Sequence, residues 1–445
     1  MEEEQDTGER PPTDQGGGRR SFVRRHWIAL TGGTLALVMA ATGTLAWLAY
    51  RKLNGNIEAD RMTGTLLGRA SDRPDRGDGQ AENILLIGSD DRTGANGAYG
   101  EAGGQRSDTT ILLHLAADRR HATAVSIPRD VMVTVPACDL PNGTRTRQQV
   151  TQFNAAFELG GPACTIRTVE RLSGIRVDHH LILDFTGFKR MVDAVGGVEV
   201  CVPRAIHDRN AKLDLAAGRQ TLTGEQALGY VRVRETIGDG SDTQRMGRQQ
   251  QFLASLLRKV QSQGVLFNPA RLWPLLDAAT SAVKADPELS SLGSLYDLAQ
   301  ELRGMAPSNV ALLTAPRRAY QLNANRDEFV QPQTAQLFAA LRADQQVAVK
   351  PYAASPSAGP SASASARPGA SASARPSAGA SGYAAPGADG SASAAPGAGD
   401  AAPASEEGEV LEDPTALPSP SASGFAGSSP VLEGRTADQD TCGMH

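Results

Sequence analysis

Between Tyr230 and Phe252 the chain carries Arg232, Arg234, Arg245 and Arg248 within seventeen residues, around a Gly-Asp-Gly-Ser-Asp loop. Arg232 and Arg234 are two apart, so an extended segment would turn both to one side. Arg245 and Gln249 are four apart, so a helix would set them on one face. Guanidinium pairs meeting at a loop and a helix start suit a doubly or triply charged phosphate group. A solvated loop followed by a surface helix accounts for the same residues, and the rest of the chain has to decide between the two.

Three short apolar runs bring further charge to the same problem. Asn83–Gly88 ends in Ser89-Asp90-Asp91-Arg92, Arg106-Ser107-Asp108 leads into Thr109–Leu115, and Ala122–Ile127 ends in Pro128-Arg129-Asp130. Unbroken apolar runs of this length read as strands covered on both faces. Loops at strand ends are where open α/β sheets take their ligands. Asp90 and Asp108, facing a phosphate cluster, suggest a Mg²⁺ (or Mn²⁺) site, because such an ion is held by one or two carboxylates plus substrate phosphates. The arginines would neutralise the other side through position and field. Taken singly, each aspartate is equally a turn or cap residue, and Arg129 beside Asp130 is equally half of a salt bridge. Their joint placement at one sheet edge favours a site. The sequence has no Walker loop, no His-Glu-x-x-His, no Gly-x-Ser-x-Gly elbow and no Gly-x-Gly-x-x-Gly opening a helix after a strand. His179 and His180 enter a strand and read as structural.

The elements that must position these groups alternate. Helical patterns cover Thr151–Leu159, which contains Asn154, and Thr165–Leu172, closed by Gly174. A strand at His179–Phe185 turns into a helix that ends at Gly196-Gly197, and Val198–Val202 is a short strand. Thr223 is the N-cap of the next helix. Phe252, Leu253, Leu256, Leu257 and Val260 recur at helical spacing and face the core. Residues 268–345 read as mostly helical, with one strand at Asn309–Thr314. The alternation predicts one α/β domain over residues 82–345.

The two ends of the chain are of another kind. Trp27–Tyr50 is uncharged for twenty-four residues, long enough to cross a hydrocarbon core of about 30 Å. Arg19, Arg20, Arg24 and Arg25 precede it and Arg51 and Lys52 follow, which predicts a cytoplasmic basic tail (1–26) and an extracytoplasmic domain. Arg19-Arg20-Ser-Phe-Val also resembles a twin-arginine export signal, which would alter the route and not the final side. Residues 51–81, polar and rich in Arg, Asp and Gly, read as a stalk. From 346 to 430 the chain is a Ser, Ala, Pro and Gly run with too little apolar side chain to order itself, a disordered linker, and 431–445 is a short end bearing Cys442. Residues 351–445 carry ten acidic and three basic groups, leaving residues 1–350 at +2 against −5 for the whole chain. A nearly neutral body excludes a nucleic-acid binder that relies on overall charge. Four cysteines fit an oxidising compartment and allow three connectivities. Cys138–Cys164, within a loop-rich segment, is the favoured pair and would contribute about 3.5 kcal/mol by loop closure. Cys201–Cys442 would follow if the tail folds back.

In this order the motifs resemble the LytR-CpsA-Psr family of bacterial envelope enzymes. The matching pieces include Ile84-Leu-Leu-Ile-Gly-Ser-Asp90, Arg106-Ser-Asp-Thr-Thr110, Ser126-Ile-Pro-Arg-Asp130, Phe153-Asn-Ala-Ala156, Asp184-Phe-Thr-Gly-Phe188, Leu222-Thr-Gly-Glu-Gln-Ala-Leu228, Tyr230-Val-Arg-Val-Arg234 and Ser241-Asp-Thr-Gln-Arg-Met-Gly-Arg-Gln-Gln250. The Gly-Asp-Gly-Ser-Asp loop and the Cys138/Cys164 placement resemble actinobacterial members. The resemblance implies an α-β-α sandwich with a mixed central sheet and a groove for a polyprenyl chain. It implies transfer of a glycopolymer from undecaprenyl pyrophosphate to a peptidoglycan hydroxyl, the 6-hydroxyl of N-acetylmuramic acid, with a side pyrophosphatase activity. Carried over residue by residue, Asp90 and Asp108 are the acidic pair at the metal. Arg129, Arg232, Arg234 and Arg245, with Gln249, surround the pyrophosphate, and Arg106 is a further contact. Asp90, Asp108 and Arg129 are thereby the catalytic set, and Arg248 is set aside as a helix anchor toward Asp242 or a neighbouring carboxylate. Gln152 stands where the family often has Lys or Thr. The alternative is a non-catalytic carrier- or wall-binding protein of the transcription-attenuator type, which has no need of both aspartates.

Overall fold

In the computed structural model the described residues are 17–77, 79–89, 107–209, 211–233, 242–261, 269–351 and 430–439. The strands in chain order begin with β1 (Glu58–Ala59), β2 (Glu82–Ser89), β3 (Ser107–Leu115), β4 (Ala122–Ile127), β5 (Met132–Val135) and β6 (Gln149–Gln152). They continue with β7 (His179–Asp184), β8 (Val198–Val202), β9 (Ile206–Asp208), β10 (Leu213–Leu215), β11 (Gly218–Leu222) and β12 (Val283–Ala285). The last five are β13 (Val310–Thr314), β14 (Arg317–Tyr320), β15 (Asn323–Phe329), β16 (Ala348–Lys350) and β17 (Val431–Thr436). The helices are α1 (Gly17–Asn56), α2 (Arg61–Leu66), α3 (Ala155–Ser173), α4 (Phe185–Ala194), α5 (Gly224–Arg232), α6 (Asp242–Gln261), α7 (Pro269–Ala282), α8 (Leu292–Gly304) and α9 (Gln333–Arg342).

Nine strands form one mixed sheet in the order β1-β12-β7-β2-β3-β4-β13-β17-β16. β3 runs antiparallel to both β2 and β4, while β2 is parallel to β7 and β4 to β13. Successive side chains on the central strands go to opposite faces, and both faces are covered. Leu85, Ile87, Leu112, Val125 and Ile127 join the cluster beneath α3 and α9, whereas Ile84, Leu113, Leu115 and Ala124 join the one that includes Ala254 of α6. This is why the runs are apolar without alternation, and each such side chain contributes about 1.5–3 kcal/mol by burial. The result is the α-β-α sandwich with a mixed central sheet. A third cluster packs α4, α5 and the β8–β11 pair against Phe252 of α6.

Several local expectations hold. Thr223 caps α5 in a full capping box with Gln226. On α6, Leu253 and Leu257 pack on one cluster and Leu256 and Val260 on another, so the helix is wedged between two cores. Cys138 and Cys164 are bonded, with Cα atoms 5.4 Å apart. Both are fully buried. Gly160 sits where a Cβ would fall 2.9 Å from Cys164 Cβ and 3.3 Å from Cys138 Cβ, so the helix is broken there to let the disulfide in. Cys201 is disulfide-bonded as well, and Cys442 lies outside the described residues.

Other elements differ from expectation. The helix expected from Thr151 starts at Ala155, because residues 149–152 pair as β6 with β5. The strand expected at Asn309–Thr314 is β13, but residues 269–345 also hold β12 and the β14–β15 hairpin besides three helices, since apolar helical spacing hid these short strands. The segment 51–81 packs on the domain along much of its length. Leu53, Ile57 and Leu67 are buried, β1 pairs with β12, and Asp60 caps α2. Asp60 Oδ2 lies 3.2 Å from His180 Nε2, and His179 Nδ1 lies 3.2 Å from Asp286 Oδ1. The chain end also returns: β17 lies between β13 and β16. A Cβ on Gly434 would fall 2.7 Å from the Leu312 carbonyl oxygen, so β17 is fitted closely to β13. Leu432 is buried in the first cluster. The unit Ala353–Pro414 lies outside the described residues.

Candidate functional site

The strand directions bring one set of ends together. Ser89 closes β2 beside Asp184 of β7 and Ser107 of β3, and Thr314 of β13 pairs with Ser126 of β4. Gly88 pairs with Thr109 but Ser89 pairs with Ser107, so Asp108 is the extra residue of a β-bulge. Bulges recur beside active sites because they re-aim a residue and end the ladder. Asp90, Arg106 and Arg234 lie outside the described residues, as does the side chain of Asp108.

Arg129 follows β4 at this end. Its Nε donates to Asp130 Oδ2 at 3.3 Å, and Gln152 Nε2 donates to Asp130 Oδ1 at 2.7 Å. The Asn154 amide donates to the Arg129 carbonyl at 3.0 Å, which fixes the backbone beneath the guanidinium. The arginine is therefore held at both ends of its residue, with its side chain 17% exposed. Asn154 acts here through its backbone.

Arg232 ends α5, its guanidinium 4.8 Å from the centre of the Phe185 ring. Stacking on an aromatic face orients the planar fork. Arg245 is buried on α6. One turn on, Gln249 Nε2 donates to Thr109 Oγ1 and to the Val231 carbonyl, both at 3.3 Å. Gln249 thus ties α6 and α5 to the strand residue next to Asp108. Arg248 is buried and donates to the Val233 carbonyl at the end of α5, and the side chain of Asp242 lies outside the described residues.

Two residues escaped the sequence reading. Gln250 Nε2 donates to Thr314 Oγ1 at 2.9 Å, and Gln251 Nε2 donates to the Cys201 carbonyl at 3.0 Å while its Oε1 accepts from Tyr230 at 3.2 Å. Both are buried. Consecutive helix positions are about 100° apart, so Gln249, Gln250 and Gln251 face three different walls and hold α6 in one rotational setting. A run of three glutamines between Arg248 and Phe252 was the available signal. Burial pushes the Tyr230 hydroxyl up to about 12, so it remains a proton donor.

Chemically, the elements meeting at this end of the sheet carry both guanidinium groups and oxygen donors. The described donors are the Ser89 and Ser107 hydroxyls and the Asp184 carboxylate, which itself accepts from the Gly187 amide at 2.6 Å. Ser107 Oγ is buried with no partner among the described residues. An all-oxygen set suits a hard divalent cation. Among the described residues no group of three or more His, Cys, Asp or Glu converges on a metal position.

Known proteins match the same span. The chain is 35% identical over 307 residues to the probable cell wall biosynthesis protein LcpB of Corynebacterium glutamicum, covering 66% of this chain and 68% of that one. It is 29% identical over 280 residues to TagU of Oceanobacillus iheyensis, named a polyisoprenyl-teichoic acid–peptidoglycan teichoic acid transferase, covering 61% and 81%. Among solved structures, a LytR-Csp2A-Psr enzyme from Actinomyces oris aligns with a TM-score of 0.47 at 21% identity, covering 60% and 93%. The LytR_cpsA_psr family matches residues 50–343, through every element that builds the sheet end described above, and the chain belongs to that family.

Proposed function

We propose that this protein is a membrane-anchored phosphotransferase that moves a glycopolymer from an undecaprenyl-pyrophosphate carrier to a peptidoglycan hydroxyl, the 6-hydroxyl of N-acetylmuramic acid. The observation that supports the reading is that Arg129 follows β4, Arg232 stacks on Phe185 after β7, and Gln249 bonds to Thr109 beside the bulge, with Arg245 one turn before Gln249 on α6. A pyrophosphate needs several fixed positive donors, and fixed donors are worth most where charge develops on the leaving phosphate. Arg106 and Arg234 complete the clamp in this proposal. Asp90 and Asp108 would hold Mg²⁺ or Mn²⁺, which supplies further neutralisation of the leaving phosphate when bound.

The chain's own residues then do three things. Arg129, steadied by Asp130, and Arg232, steadied by Phe185, bind and orient the pyrophosphate. Arg245 closes it from α6, and Gln249, its amide hydrogens engaged by Thr109 and Val231, sets that helix in place beside it. The acceptor hydroxyl oxygen forms a bond to the glycan-side phosphorus, the bond from that phosphorus to the bridging oxygen breaks, polyprenyl phosphate leaves, and the hydroxyl proton passes to a carboxylate of the same sheet end. With water as acceptor the same geometry would give the side pyrophosphatase reaction. The names of TagU and similar transferases support this reading.

The test is transfer of a polyprenyl-pyrophosphate-linked glycan to peptidoglycan by the full chain with Mg²⁺. Arg129→Ala is expected to lose about a hundredfold or more in rate, the usual cost of removing one fixed donor. A variant that transferred as fast as the parent would overturn the assignment. A protein that merely binds the carrier would show no transfer at all.

A further inference from the structure

We propose that the first turn of α7, with Trp273, lies in the headgroup layer of the membrane that α1 enters, so that the domain rests on the bilayer in one fixed orientation. This rests on the reading of α1 as a membrane span. The helix from Leu30 to Asn56 holds an eighteen-residue window apolar enough to cross, none of it buried within the protein. The last turn of the same helix is docked on the domain. Lys52 Nζ lies 3.2 Å from Asp277 Oδ1, Asn56 Nδ2 donates to Asp277 Oδ1 at 3.1 Å and to Thr280 Oγ1 at 3.3 Å, and Asn54 Oδ1 accepts from the Leu292 amide at 2.9 Å. Leu53 and Ile57 are buried beneath these contacts.

The contacts also give an axial register. Asp277 meets residues 52 and 56 of α1, Thr280 meets Asn56, and Lys52 Nζ sits 5.8 Å from the centre of the Trp273 ring. The two helices therefore run in the same direction, and the start of α7 points back toward the span. At about 1.5 Å per residue, Trp273 falls level with Tyr50–Lys52, where the uncharged run ends. Trp273 is 38% exposed there, and Trp47 and Tyr50 of α1 are exposed at the same depth. Arg51 stacks on Trp47 as Lys52 does on Trp273. Aromatic rings with cations beside them are the side chains that settle at a lipid–water boundary.

The docking has a consequence for the site. A cavity of about 750 Å³ has Asn56, Met62, Ser89 and Asp184 in its lining. Asn56 is six residues past Tyr50, about 9 Å along the helix. In this orientation the cavity, which also touches Ser89 and Asp184 at the sheet end, has Asn56 in its lining close to the bilayer surface.

The chain has three tryptophans, Trp27, Trp47 and Trp273, which makes the face readable by fluorescence. The full chain is placed in phospholipid vesicles whose acyl chains are brominated near the headgroup. A Trp27→Phe/Trp47→Phe variant reports Trp273 alone, and a Trp27→Phe/Trp273→Phe variant reports Trp47 alone. Trp273 is expected to lose about half its emission or more, since a ring at the headgroup–acyl boundary lies within a few ångströms of the quencher. Quenching of Trp47 without Trp273 would refute the docking and leave the span intact. Quenching of neither would refute the span and the docking together. Trp273 shielded from aqueous acrylamide yet untouched by brominated lipid would mean that a second protein copy covers the face, which also refutes the proposal.

Discussion

At the scale of single residues, the proposed clamp depends on neighbours that carry no charge. Gln152 holds Asp130 at 2.7 Å, and Asp130 in turn holds Arg129. Gln152→Ala should lower the transfer rate roughly tenfold, because a charge-assisted hydrogen bond is worth about 1.5–3 kcal/mol. Gln152→Glu, which sets a second carboxylate against Asp130, should lower it further. Steady-state rates for the two variants and their melting curves check this, and an unchanged rate in Gln152→Ala would take Asp130 out of the support for Arg129. A second group of residues governs pH dependence. Burial alone would raise the Asp60 carboxyl, but hydrogen bonds from His180 and Thr63 outweigh it and hold the group well below its ordinary 3.8. A depressed carboxylate contributes stability that is fully present above the unfolded value and is lost as pH falls toward the folded one. Asp60→Asn should therefore melt lower than the parent at neutral pH, and the gap should narrow below about pH 4. The arginines of the proposed clamp stand out in the sequence because charged groups at strand ends and at i, i+4 on a helix have a readable spacing. Gln250 and Gln251 were not, because a polar run on a helix reads as solvent-facing until the walls it bonds to are known.

At the scale of elements, the least legible piece was β17. Six residues after a long Ser, Ala, Pro and Gly stretch offer only Leu432 and Gly434 as an inward pair, and the surrounding composition masks the alternation. The pairing partners, β13 and β16, are themselves short strands that sequence periodicity could not align. Leu432→Ala should cost about 2–5 kcal/mol in chemical denaturation if the strand is integral to the core. Removing residues 430–445 should cost more and should also loosen α6, since Arg258 donates to the Ala437 carbonyl. A loss near zero for both changes would show that the strand merely rests on the sheet. The central strands β2, β3, β4 and β7 were readable because burial on both faces leaves an unbroken apolar run, whereas β12 and β14–β15 lie in stretches whose helical neighbours dominate any window.

At the scale of the whole molecule, the segment between span and sheet is part of the body. β1, α2 and the Asp60–His180 contact join it to β7 and β12, so the domain moves with α1 and not on a slack tether. The basic residues before Trp27 predict that this body faces away from the cytoplasm. A reporter that works only outside the cytoplasm, fused after His445, should be active, and a silent fusion would reverse the orientation. Because among the described residues β16 has β17 as its neighbour in the sheet, the order of synthesis matters. The ribosome finishes Lys350 and must then add about eighty residues, roughly 4 to 16 s of translation, before the partner strand exists. A chain interrupted anywhere in that interval carries the proposed clamp yet lacks the strand that, among the described residues, covers β13 and pairs with β16. Closure of this edge thereby reports synthesis through Thr436, and a product stopped short of it is marked by its own exposed backbone.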